Sequence, residues 1–275
     1  MIRLLTGGDI CEVKAYLERN YLETVFLNGN IIRCGIDNNR INRRCGDYYG
    51  YFEAGILKGI LTFFNLGSVI PHFEVPGAVN GFVEIMRQRR FEVLAGMKQV
   101  VEPLNLALSQ YKKILNYEDS NFLINRAVRW SAIPPSVRIA DAGEVERSAA
   151  LGFVVEAYRQ GFMRRFNSEL AAKLIDDRGP GEDLVFLLEG GVPKAQAIIQ
   201  VTTNRISQIG GVYTSESSRG KGYCKILIAE LCRRIQGYCK LPVLMVRKDN
   251  VPAGKAYQAS GFTHYDDYLI IKYSV

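Results

Sequence analysis

An apolar, strand-like run from Ile206 to Thr214 leads into Arg219-Gly220-Lys221-Gly222-Tyr223-Cys224, and an amphipathic helical run from Lys225 to Ile235 follows. No other feature constrains the chain as much. A strand that enters a glycine-punctuated turn and leaves it as a helix presents open backbone N–H groups and the positive end of a helix dipole. Arg219 and Lys221 add formal charge, so the expectation is a grip on a diphosphate-bearing cofactor, with a plain surface loop as the competing reading. Spacing removes two familiar alternatives. A Walker loop needs Ser or Thr after Gly-Lys, where this chain has Gly222, and a G-x-G-x-x-G fingerprint needs glycine where this chain has Lys225.

The pattern that does fit is Q/R-x-x-G-x-G/A, filled by Arg219, Gly222 and, at the last place, Cys224. Taken with Gly211-Val212-Tyr213-Thr214 before it and Asn250, Ala253, Tyr257 and Gly261-Phe262 after it, this resembles the GNAT superfamily of acyl-coenzyme A-dependent N-acyltransferases over about the last half of the chain. Cys224 is the departure within the turn, and it implies reduced tolerance there rather than loss of binding.

The resemblance implies roles. Val212, Tyr213 and Thr214 would pair with the pantetheine arm through their backbone, and one of their N–H groups would polarise the thioester carbonyl. Arg219, Gly220, Lys221, Gly222, Tyr223 and Cys224 would take the pyrophosphate, with Asn250 and Ala253 also contacting the cofactor. Asn250 has a second reading as a helix cap, since a helix follows it. Tyr257 would be the general acid, because a phenol with a pKa of about 10 is protonated at neutral pH and can donate to a departing thiolate. Many relatives carry a Glu on the strand that ends here at Thr214, whereas this strand offers Ser207 and Gln208, and an amide accepts no proton. Glu216 and His264 are the candidate bases, and a water relay or an amine that arrives neutral would need neither.

A chain of 275 residues has room for two domains, each with its own core. An internal repeat points the same way: Asp47, Glu53, Gly55 and Lys58 align at one offset with Asp183, Glu189, Gly191 and Lys194, in segments that read as strand, tight turn, strand. In the first half, strands near Tyr48 to Phe52, Leu57 to Phe64 and Ser68 to Phe73 precede a helix near Ala78 to Arg89, a strand near Phe91 to Ala95 and a helix near Gln99 to Tyr111. The second half repeats that order from Leu184 to Ala259, and helices precede each set, near Ile10 to Asn28, Ala142 to Gln160 and Ser168 to Asp177. The expected fold class is α/β (α+β mixed sheet): two tandem GNAT-like domains, each a mixed, mostly antiparallel sheet flanked by helices. Residues 1–128 form the first, 129–136 the linker around Ile133-Pro134-Pro135, and 137–275 the catalytic domain. The first half reads Glu74-Val75-Pro76-Gly77 at the phosphate turn, with a repelling carboxylate and a proline lacking an N–H, so it is expected to be degenerate for coenzyme A.

A net charge of +7 raises the question of nucleic acid, but the arginines cluster at Arg33 to Arg44, Arg87 to Arg90 and Arg164-Arg165 without an aromatic-interleaved stripe. Solvated faces are the preferred reading, and nucleic-acid binding ranks last. Neither an apolar run of about 18 residues nor a signal-like start is present, so no membrane contact and a cytoplasmic location are expected. The six cysteines and two histidines show no ligand spacing, so no metal is expected. Acetyl-CoA is the expected cosubstrate, passing its acetyl group to the primary amine of an unidentified acceptor by direct attack in a ternary complex. Glu156, Tyr158, Arg164 and Arg165 are candidates to line the acceptor pocket, with a solvent-facing position as the equal alternative. The alternative is a non-catalytic acyl-CoA sensor or assembly module, and a homo-oligomer stays open.

Overall fold

The computed structural model describes residues 1–161, 166–179 and 181–274. The chain divides into two compact units, Met1–Phe122 with Tyr265–Val275, and Leu123–His264.

The first unit runs β1 (Ile2–Leu4), α1 (Ile10–Arg19), α2 (Val25–Cys34), β2 (Gly46–Glu53), β3 (Ile56–Phe64), β4 (Ser68–Phe73), α3 (Ala78–Arg87), β5 (Val93–Met97), α4 (Lys98–Leu108) and the body of β6 (Ile114–Ile124). Strands β1 to β4 pair antiparallel in sequence order, and β4 pairs β5 in parallel. Strand β3 is covered on both faces and is correspondingly apolar: Ile60 and Phe64 pack with Val13, Tyr16, Leu17 and Leu27 of α1 and α2, while Leu61 and Phe63 pack with Phe82, Met86 and Leu104 of α3 and α4. The expected single helix from Ile10 to Asn28 is two helices. Asn20 leaves helical geometry at φ −112°, ψ 33°, and its side chain bonds back to the Tyr16 carbonyl and across to Glu74, which ends α1.

The second unit runs β7 (Val137–Asp141), α5 (Arg147–Gly161), α6 (Ser168–Asp176), β8 (Leu184–Glu189), β9 (Val192–Thr202), β10 (Ile206–Thr214), α7 (Tyr223–Gly237), β11 (Leu241–Arg247) and α8 (Val251–Ala259). The pairing senses repeat those of the first unit: β7 to β10 are antiparallel neighbours, and β10 pairs β11 in parallel. Strand β8 alternates faces with period two. Leu184, Phe186 and Leu188 pack with Phe153, Val154 and Ala157 of α5, whereas Val185 and Leu187 pack with Leu227, Ile228 and Leu231 of α7. Each unit is therefore a mixed, mostly antiparallel sheet with helices on both faces, as expected.

The last strand, β12 (Thr263–Tyr273), changes the assignment of the chain end. Tyr268 to Lys272 pair antiparallel with Met97 to Val93 of β5, so residues 265–275 complete the first unit's sheet, although the sequence groups them with 137–275. The other crossing lies at Phe122 and Leu123, upstream of the expected 129–136 linker. There Asn125, fully buried, donates its backbone N–H to Pro242 at 2.9 Å and its side-chain amide to the Ser260 carbonyl at 3.0 Å, which ties the incoming chain into the second unit. Among the described residues, no helix is long and apolar enough to cross a membrane.

Candidate functional site

Strand β10 is regular toward one neighbour and irregular toward the other. Its parallel ladder with β11 runs from Ile206↔Leu241 to Ile209↔Leu244, and both strands continue past it, β10 to Thr214 and β11 to Arg247. On the other side the register with β9 shifts between Gln208 and Ile209 and again between Gly210 and Tyr213, the second a bulge at Gly211 that bends the strand. Gly211 sits at φ +56°, and a Cβ there would come within 2.6 Å of the Ile198 side chain, so glycine is required. Past the bulge, Val212 packs on the α7 side and Tyr213 on the α5 side.

After β10 the chain makes a short 3-10 turn, Glu216–Ser218, and Arg219 folds back so that its Nε donates to the Thr214 carbonyl at 3.4 Å. Gly220 and Gly222 then take left-handed conformations, φ +80° and +81°. Gly222 is the N-cap of α7, no side chain caps the helix, and the Ile226 N–H to Gly222 carbonyl bond at 3.3 Å opens its ladder. The amides of Tyr223, Cys224 and Lys225 precede that bond and belong to the group a helix start leaves unpaired. Nothing lies within 4 Å of where a Gly220 Cβ would stand. Open amides, open space and a dipole end fit an anion such as the pyrophosphate of coenzyme A.

The charge at this turn differs from the sequence reading. Lys221 Nζ lies 3.2 Å from Glu189 Oε2, and the Tyr223 hydroxyl donates to Glu189 Oε1 at 2.6 Å. Hydrogen bonds from Tyr223 first, and then Lys221, lower the Glu189 carboxyl. Lys221 is thus paired within the protein, and Arg219 is the turn's exposed cation without a carboxylate partner among the described residues. Glu189 and Lys194 were visible in the sequence only as repeat landmarks.

The corresponding turn of the first unit is closed. The Ala78 N–H donates to the Val75 carbonyl at 3.3 Å and Val79 to Pro76 at 3.0 Å, so the first amides of α3 are used internally. The Tyr51 hydroxyl lies 2.8 Å from where a Gly77 Cβ would be. Glu74 binds Arg19, Asn20 and Lys58; partial burial opposes its ionisation, yet these hydrogen bonds hold its carboxyl down at about 2.

Helix α8 carries the remaining expected residues. Asn250 is its N-cap, with its side chain accepting from the Ala253 N–H at 3.3 Å, and Ala253 packs against the core on the α7 side. Tyr257 is 7% exposed; burial first, and then proximity to Cys224, raise its phenol pKa above the ordinary value, which keeps it protonated. Burial likewise pushes the Cys224 thiol up to about 12, so it is no thiolate nucleophile at neutral pH. Gly261 ends this region at φ +97°, where a Cβ would strike the Ala127 carbonyl at 2.1 Å.

A cavity of about 750 Å³ opens on the α5 side, walled by Phe153, Glu156 and Gln160 of α5, Lys194 of β9, and Ser215 and Glu216 of the turn. The Tyr213 hydroxyl lies 2.9 Å from Glu156 Oε1 and 2.6 Å from Gln160 Oε1. With one proton it serves one acceptor at a time. Burial, and then Glu156, push this phenol up to about 12. Glu156 and Glu216 therefore meet at one cavity, while His264 lies on the exposed start of β12 and is not part of its wall. Tyr158, expected to line the pocket, instead stacks on Phe166 with ring centroids 4.3 Å apart. Arg164 and Arg165 lie outside the described residues. Gln160 and Lys194 were missed, because only the tertiary fold brings them to Glu216. Among the described residues, no group of three or more His, Cys, Asp or Glu could hold a metal.

Residues 187–271 match the family model of the FR47-like protein. No curated protein matches the chain at a significant level. In structure the chain is similar to a Drosophila structural-genomics protein (TM-score 0.74, 11% identity, 99% of this chain and 98% of that one). It is also similar to a GCN5-related N-acetyltransferase from Sphaerobacter thermophilus (TM-score 0.62, 14% identity, 99% and 94%). A third similar structure is a tandem GNAT protein from the clavulanic acid biosynthesis pathway (TM-score 0.58, 13% identity, 99% and 97%). At these identities the likeness is one of fold: the chain has the fold of these GNAT structures.

Proposed function

We propose that this GNAT-fold chain is an N-acetyltransferase that moves the acetyl group of acetyl-CoA onto a primary amine by direct attack in a ternary complex. The observation that carries the reading is the continuous path of backbone donors: β10 leaves its ladder with β11 after Ile209, bulges at Gly211, and feeds a turn whose two left-handed glycines open an uncapped α7. The α7 amides with Arg219 would hold the pyrophosphate, and Val212 to Thr214 would present backbone to the pantetheine arm.

In the transfer, the amine lone pair forms the C–N bond to the thioester carbon and the C–S bond breaks with its electron pair left on sulfur. Tyr257 supplies the proton that the sulfur takes, and its burial keeps that proton available. The ammonium proton leaves toward Glu216, which is better placed than His264 because it lies on the cavity wall with Glu156. The repeated pairing pattern supports a tandem organisation, and the closed turn of the first unit supports reading it as the degenerate half.

Calorimetric titration of coenzyme A, followed by measurement of free-thiol release from acetyl-CoA across an amine panel, tests the reading. Binding with amine-dependent thiol release supports it. Binding without turnover for any amine would make the chain an acyl-CoA sensor, and no binding would end the proposal.

A further inference from the structure

Gln196 on β9 is a costly residue for its place. It is completely buried, on the sheet face shared with Phe186 and Tyr213, and its side-chain oxygen has no hydrogen-bond partner among the described residues. An apolar side chain would avoid that orphaned oxygen. What the amide does instead is donate its Nε2 to the carbonyl of Gly211 at 3.2 Å. The orientation of the amide follows from chemistry, since only its nitrogen can face a carbonyl oxygen.

Gly211 is the left-handed residue of the β10 bulge, where the β9 register is interrupted and the regular ladder no longer dictates the direction of the carbonyl. Across a trans peptide the C=O and the following N–H point in opposite directions. A Gly211 carbonyl held by a β9 side chain therefore turns the Val212 N–H away from β9, and the neighbour on the other side of β10 is β11, whose ladder with β10 stops at Ile209↔Leu244. We propose that Gln196 is a positioning residue that locks the Gly211–Val212 peptide plane so that the Val212 amide is aimed at the thioester carbonyl. This rests on the acyl-transfer reading above and adds to it the side chain that sets the donor's direction.

Such a donor acts on the acyl carbonyl and on nothing else in the carrier, so its loss has a signature distinct from that of a damaged fold. The test compares the full-length protein with Gln196→Leu, which is apolar, and Gln196→Met, which keeps the side-chain length should the leucine variant misfold. Three quantities are read: affinity for free coenzyme A, which has no acyl carbonyl; kcat for acetyl transfer to the best amine of the panel; and the infrared carbonyl stretch of bound acetyl-CoA carrying ¹³C at that carbon. The expected result is coenzyme A affinity within about twofold of the parent, kcat lower by about 100-fold, as for misplacing one preorganised donor, and a carbonyl band that moves back toward its position in water. An unshifted band with full kcat in either folded variant would overturn the proposal, as would coenzyme A affinity falling in step with kcat. If the parent protein fails to bind acetyl-CoA, the functional reading and this inference fall together. If the parent binds with a displaced band that the variants retain, only this inference falls.

Discussion

Replacing Gly222 by alanine separates what the turn costs in backbone strain from what it does for a ligand. At φ +81° an L-residue is forced into the left-handed region, at roughly 1–2 kcal/mol. Alanine also reduces the freedom of the unfolded chain, which offsets part of that strain. The added Cβ meets only the Lys225 Cε, at 3.5 Å, which is ordinary contact, so strain less that offset is the expected effect on stability: a loss of about 1 kcal/mol. Gly55 supplies the control, because it stands in the first unit's β2–β3 turn at φ +79° with nothing within 4 Å of its Cβ position.

Both variants should lower the denaturant midpoint by similar amounts in the absence of ligand. Coenzyme A should tell them apart. If the α7 amides hold the pyrophosphate, a methyl group beside them displaces at least one charge-assisted hydrogen bond worth about 1.5–3 kcal/mol, a loss of about 10- to 150-fold in affinity. Gly55→Ala should leave affinity unchanged. Calorimetry at fixed ionic strength reads the difference. Equal coenzyme A affinity in Gly222→Ala and the parent would refute the assignment of this helix start to the anion, whatever the stability data show.

Tyr257→Phe should lower kcat by about 10²- to 10⁴-fold, the usual range for one general acid, with coenzyme A affinity unchanged in calorimetry. Glu189→Gln should raise coenzyme A affinity about threefold at low salt by releasing Lys221 to the ligand, and the gain should fade at high salt, as titrations at two ionic strengths will show. His72 is buried beside the Tyr16 hydroxyl, and burial depresses its pKa from 6.5 to about 4. The unfolded chain therefore binds a proton that the folded one refuses. Stability from this residue is complete above pH 6.5 and falls as the pH drops toward 4, by an amount on the order of 3 kcal/mol. Urea unfolding of the parent and His72→Gln between pH 4 and pH 7 should converge toward the acid end, and parallel curves would exclude the linkage.

The strands with strong, local signals were legible from sequence. Ser68–Phe73 and Ile206–Thr214 occur with the expected bounds, because each is a short apolar run closed by turn residues. β1 was invisible, since three residues carry no periodicity and its existence depends on pairing Ile2 to Leu4 with Tyr51 to Tyr49. β6 was missed for a different reason: its first residues, Ile114 to Tyr117, are exposed, so apolar and polar positions do not alternate in the usual way. The destination of β12 lay beyond any local reading, because Tyr268 to Lys272 find partners on β5 far back in the chain. At the site, the glycine turn could be picked out by spacing, and Tyr257 was singled out through the family resemblance. The pairing of Lys221 with Glu189, the convergence of Glu156 with Glu216, and the bond from Gln196 to Gly211 are products of tertiary approach and leave no trace in spacing.

On the proposed function, the two units would share a fold without sharing an activity. Each sends a strand through a turn into a helix beside a parallel neighbour, β4 into α3 and β10 into α7, so both place a helix start at the same point of the same pairing pattern. What differs is where the first amides go. In α3 the Val75 and Pro76 carbonyls take them, Tyr51 fills the adjoining space, and Glu74 puts a carboxylate at the entrance. In α7 two left-handed glycines turn the chain so that no preceding side chain caps the helix, and the region beyond Gly220 is open. An anion would find its hydrogen bonds already used at the first site and on offer at the second. Grafting the sequence from Glu216 to Cys224 between β4 and α3 should therefore not suffice to confer coenzyme A binding on the first unit unless Tyr51 is also reduced to a small residue. Calorimetry on the graft with and without Tyr51→Ala, in a chain whose own α7 site is weakened by Gly222→Ala, tests that accounting. Binding by the graft that is indifferent to Tyr51 would show that amide availability alone, without cleared space, decides which unit holds the ligand.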